Sequence, residues 1–116
     1  MATVKGGKFF AVASSVLVYD SQAVPANVES TVATYTASGS DKSITKIIAS
    51  GNGNGKWNVE VDSVVIMTFR TANGDRTRDI DFVSPLLLSD GSTLDVKVEH
   101  CFTGDTLDFE STVMGY

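Results

Sequence analysis

The sequence predicts an all-β fold, an antiparallel sandwich of jelly-roll or immunoglobulin-like type with an extended N-terminal strand or arm. Three observations lead there. Apolar residues recur with a period of two, as when Trp57, Val59 and Val61 alternate with Asn58, Glu60 and Asp62, which puts one face of a strand on a core and the other in water. Turn residues punctuate the chain at short intervals, at Ser38–Asp41, Gly51–Gly55, Asn73–Asp75, Ser89–Ser92 and Thr103–Asp105, the rhythm of a sandwich or barrel. No useful length shows helical spacing with a cap, and threonine, serine and valine favour pleated backbone.

In chain order, strands are expected at roughly 8–19, 28–37, 44–50, 56–62, 64–70, 78–84, 93–102 and 106–115. Lys5 and Lys8 ahead of Phe9-Phe10-Ala11-Val12-Ala13, with Ser21-Gln22-Ala23 beyond, outline a secretory leader. Ser14 and Ser15 break that run, however, and Val16-Leu17-Val18-Tyr19 is β-branched and aromatic, so the strand reading is preferred. The polar, proline-containing stretch 20–27 then reads as a hinge. The expected organisation is therefore an arm and hinge over residues 1–27 and a sandwich over 28–116. Val64-Val65-Ile66-Met67 is continuously apolar, which implies burial on both sides, against the fold or against another subunit. The strands beginning near Thr93 and Thr106 alternate cleanly, with Leu94, Val96, Val98 and His100 on one face and Leu107, Phe109 and Val113 on another.

The 116 residues suffice for one hydrophobic core, and 42% apolar content argues for a folded chain. A net charge of −5 with no basic cluster counts against nucleic acid, which calls for a lysine and arginine stripe. The N-terminal apolar run is too short to span a bilayer. A single cysteine, Cys101, allows no intrachain disulfide, fits a reducing cytosol and reads as a buried, inert thiol.

The glycine-rich stretch 51–55 invites comparison with a phosphate-binding loop. That loop needs a helix after its Gly-Lys pair, whereas Gly55-Lys56 runs into the alternating strand of Trp57. A hairpin bend is the expectation, because Asn-Gly pairs accept positive φ. Asp75, Asp79 and Asp81 lack the spacing of a calcium loop and read as a solvated hairpin, so no metal and no cofactor is expected. His100 lies on the apolar face of its strand and reads as a packed core histidine rather than a general base. Tyr35, Trp57, Phe69 and Tyr116 are the aromatics that could stack on a sugar. Trp57, starting a strand beside a loop, is the best platform, with Arg76 and Arg78 placed to grip an acidic glycan.

From Val28 to Tyr116 the chain resembles the small β-sandwich virion proteins of tailed bacteriophages, among them capsid-decorating and tail-associated components. The resemblance rests on "ESTVATYTASGSDKSITKIIASG", "KWNVEVD", "RDIDFVSPLLLSDGSTLDVKVEH" and "GDTLDFESTVMGY". It implies a non-enzymatic structural role in a virion assembled in the host cytoplasm. The implied function is that of a capsid decoration or cement subunit that forms a homo-oligomer, such as a trimer, and docks on a major capsid or tail protein. Phe9, Phe10, Val12, Val16 and Val18 of the arm, with Val64, Ile66, Phe109 and Tyr116, are then the expected interface. The alternative is a tail- or fibre-associated carbohydrate-binding module that meets a host glycan through Trp57, Arg76 and Arg78.

Overall fold

The computed structural model describes residues 16–51, 54–72, 74–101 and 104–116. Among the described residues eight strands run in chain order: β1 Val16–Val24, β2 Glu29–Thr36, β3 Lys42–Gly51, β4 Gly55–Val61, β5 Val64–Thr71, β6 Thr77–Leu88, β7 Thr93–His100 and β8 Leu107–Gly115. They form two four-stranded antiparallel sheets, β1-β8-β3-β6 and β2-β7-β4-β5. The first strand pairs with the last, β2 with β7, β3 with β6 and β4 with β5. This nested order is the double-sheet jelly roll, so of the two expected sandwich types the strand pairing selects that one.

Alternation builds the core. Val16, Ile44, Ile47, Phe109 and Val113 of the first sheet meet Val32, Trp57, Val59, Leu94, Val96 and Val98 of the second, all buried. Two aromatic rings pack on Trp57. Its ring stacks on Phe69 at 6.0 Å and 6°, and meets Phe109 edge-on at 5.8 Å. The indole Nε1–H donates to Thr71 Oγ1 at 3.0 Å, so the buried donor is satisfied.

Two local readings change. β3 and β4 lie in different sheets, so the stretch from Gly51 to Gly55 crosses from one sheet to the other and is not a hairpin between paired strands. Gly51 is needed for space, because a β-carbon there would overlap the Phe109 ring; at Gly55 it would come within 2.9 Å of Val98 and 3.0 Å of Phe109. The two-residue hairpin turn falls at Asp62-Ser63 between β4 and β5, with φ of 50° and 70° at residues that are not glycine.

The segment expected to stand apart as an arm enters the fold at Val16. From there to Val24 it is hydrogen-bonded along β8, through the polar stretch 20–23, because the pairing of an edge strand needs only main-chain groups. Pro25 ends the strand, and Asn27, at φ 61°, turns the chain into the second sheet. At that side β1 and β2 pack closely, whereas at the other side β5 and β6 meet at only a few points beyond their connecting turn.

Candidate functional site

The outer faces of the two sheets differ in kind. That of β2-β7-β4-β5 is a polar ladder. Thr34 Oγ1 donates to Asp95 at 2.6 Å, Thr68 Oγ1 donates to Asn58 at 2.7 Å, and Thr36 pairs with Thr93 at 2.8 Å. Lys97 Nζ lies 3.2 Å from Glu60, and that hydrogen bond raises the lysine pKa. Such a face is satisfied in water.

The first sheet presents a different surface. Leu17 and Tyr19 of β1 lie in register with Met114 and Thr112 of β8, which in turn lie beside Lys46 and Ile48 of β3. One step further along, the Tyr116 and Ser43 backbones exchange hydrogen bonds at 2.7 and 2.9 Å, and Ser43 is in register with Leu87 of β6. Leu17, Tyr19, Leu87 and Tyr116 are all exposed, Leu17 to 65%. The result is an apolar strip interrupted by Thr112, Lys46 and Ser43 and bordered by the acids Asp79, Asp81 and Glu110. Glu110 raises the pKa of the Tyr19 phenol, chiefly by charge repulsion of the phenolate.

A second apolar group lies on the flank where, among the described residues, β5 and β6 are the end strands of their sheets. Val64, Val65 and Ile66 are exposed on β5. The register of β5 on β4 slips so that Val59 faces Met67 and Glu60 faces Val65, leaving Ile66 in a bulge. On β6, the four residues 82–85 oppose the single Thr45 of β3, and this wide bulge carries Val83 fully into solvent, at 103%. The continuous apolar run 64–67 is therefore not buried on both sides within the chain; only Met67 packs on the core.

The expected interface residues divide accordingly. Val64, Ile66 and Tyr116 are exposed. Val16 and Phe109 are core residues and Val18 packs against the core, so none offers a surface. The parity along β1 is the reverse of that expectation, and Leu17 and Tyr19 are the outward pair. Phe9, Phe10 and Val12 lie outside the described residues. Trp57 is fully buried and cannot serve as a sugar platform. Arg76 is exposed, while Arg78 lies 5.8 Å over the Phe69 ring and donates to the Arg70 carbonyl at 3.3 Å, so the two arginines do not converge with an aromatic in water. Cys101 is half-buried rather than buried, because β7 ends one residue before it. His100 is buried, with Nε2 3.0 Å from the Asp105 carbonyl and its ring edge-on to Phe109.

Among the described residues there is no cavity or cleft, and no group of three metal-ligating side chains. No family model matches the chain, and no curated protein matches it. Among solved structures, the crystal structure of dimeric latent PorU from Porphyromonas gingivalis is similar over 99% of this chain and 14% of that one, with 16% identity and a TM-score of 0.42. The chain thus spans a small part of that protein's length.

Proposed function

We propose that this chain is a non-enzymatic structural subunit of a tailed-phage virion, a capsid decoration or cement protein that associates with itself and docks on a coat or tail protein. The observation that carries the reading is the contrast between the two outer faces. One sheet ends in a hydrogen-bonded polar ladder, and the other ends in Leu17, Tyr19, Leu87 and Tyr116. Apolar side chains gathered on one face of a small sandwich fit a surface covered in an assembly. The acidic border would set the orientation of a basic partner. The resemblance of residues 28–116 to phage sandwich proteins supplies the virion setting.

The test is sedimentation velocity of the full chain, followed by co-sedimentation with tailed-phage heads that lack their decoration protein. The expected result is a homo-oligomer that binds heads, and a Leu17→Lys, Tyr116→Lys variant that keeps its melting temperature but does not bind. A wild-type chain that stays monomeric at high micromolar concentration and leaves the heads bare would overturn the reading.

A further inference from the structure

The flank between β5 and β6 is separate from the apolar strip on the outer face and is built differently. Four of the exposed large hydrophobics sit there, Val64, Val65, Ile66 and Val83. No proline and no charge guards β5 before Arg70, where edge strands are commonly protected by such residues. Nearby, the single Lys46 ammonium lies 3.4 Å from Asp79 and 3.5 Å from Asp81, so two carboxylates share one cation and the local charge is negative.

The first fifteen residues have matching chemistry. Their only charged side chains are Lys5 and Lys8, both positive, and three bulky apolar side chains, Phe9, Phe10 and Val12, come directly after Lys8, with Met1 and Val4 ahead of the lysines. The remaining residues hold all fourteen acids. We infer that the β5/β6 flank receives the N-terminal segment of a second copy of this chain, with Phe9, Phe10 and Val12 against Val64, Val65, Ile66 and Val83 and the lysines beside Asp79 and Asp81. This rests on the self-association proposed above and names the surface and the segment that achieve it.

Reach decides between the chain's own segment and that of a neighbour. Val16 starts β1, at the edge of its sheet opposite β6. The flank is three strand spacings away, about 14 Å, and one sheet separation over, about 10 Å, which makes about 17 Å in all. Four residues from Val16 back to Val12 span at most about 14 Å. The straight line runs through the core, however, and the path around the outside is the sum of the two steps, about 24 Å. Val12 therefore falls well short of its own flank, and Phe10, at most about 21 Å from Val16, does not reach it either. A neighbouring subunit removes that constraint. The bulge at Ile66 breaks the regular edge, so side chains rather than a continuous added ladder hold the segment.

Complementation between two defective variants tests this. Phe9→Asp with Phe10→Asp disables the segment, and Val65→Lys with Ile66→Lys disables the flank at exposed positions that leave the core untouched. Each variant alone is expected to sediment as a monomer where the wild type associates, with circular dichroism confirming that both are folded. Mixed in equal amounts they should form a 1:1 heterodimer, since one intact segment then meets one intact flank. If the wild type associates and the mixture stays monomeric, the segment-in-flank contact is wrong while self-association stands. A monomeric wild type overturns both.

Discussion

The Phe109 ring lies directly against the backbone of Gly51, so closely that a β-carbon at residue 51 would overlap it. A glycine in a loop-like sequence thus serves the core. Gly51→Ala should destabilise the fold by about 1–3 kcal/mol, the usual cost of overpacking. Gly74→Ala, with nothing near its added methyl, should be close to neutral. Urea unfolding of the two variants beside the wild type separates them.

Trp57 is the sole tryptophan and is buried, so its fluorescence reports the core. Trp57→Ala is expected to cost about 3–5 kcal/mol. Thr71→Val should cost about 1–3 kcal/mol by leaving the indole N–H without its acceptor. Emission of the native protein should be blue-shifted and unchanged by added glycans. A glycan-dependent shift would return Trp57 to the surface.

Neighbouring positions on β1 should respond oppositely. Val16→Lys buries an unpaired charge and is expected to unfold the domain or cost several kcal/mol. Leu17→Lys, on the outward side, should stay within about 0.5 kcal/mol of the wild type. Thermal melts of the pair check the parity of the strand.

Asp62 is held below its ordinary carboxyl pKa, first by the Thr93 backbone N–H at 2.9 Å and then by the Ser92 side chain. A lowered folded value means that the carboxylate stabilises the fold above its unfolded pKa, and that this contribution is lost as pH falls through the folded value. Asn tolerates the positive φ at this turn and keeps an acceptor oxygen. Asp62→Asn should therefore lower the melting temperature at pH 7, with the difference shrinking toward pH 3.

Much of the fold was legible because alternation is local. Leu94, Val96, Val98 and His100 all point inward as their spacing predicts. Elsewhere the deciding contacts are distant in sequence. Nothing near Phe109 announces that it will occupy the space beside Gly51, and nothing near Asp20 announces that β8 will carry β1 on to Val24. The Asp62-Ser63 turn was hidden because neither residue is glycine. The run 64–67 left cover by the fold and cover by another subunit open, because an apolar edge and a buried strand share one composition, and the structure removes only the first. Trp57 beside a glycine-rich stretch looked exposed until the first sheet, with Phe109, was in place over it. The outward parity of Leu17 and Tyr19 depended on where β1 joins β8, which no local pattern encodes.

The nested strand order also has a consequence for biogenesis. β4 and β5 adjoin in the chain and can pair as soon as both emerge from the ribosome, but β3 must wait for β6, β2 for β7, and β1 for residues up to Gly115. Closure thus proceeds outward from the middle, and among the described strands β1 waits longest for its mate. Throughout that interval Val16 and Val24, destined for the interior, remain available to chaperones or to the nascent chain of a neighbour on the same message.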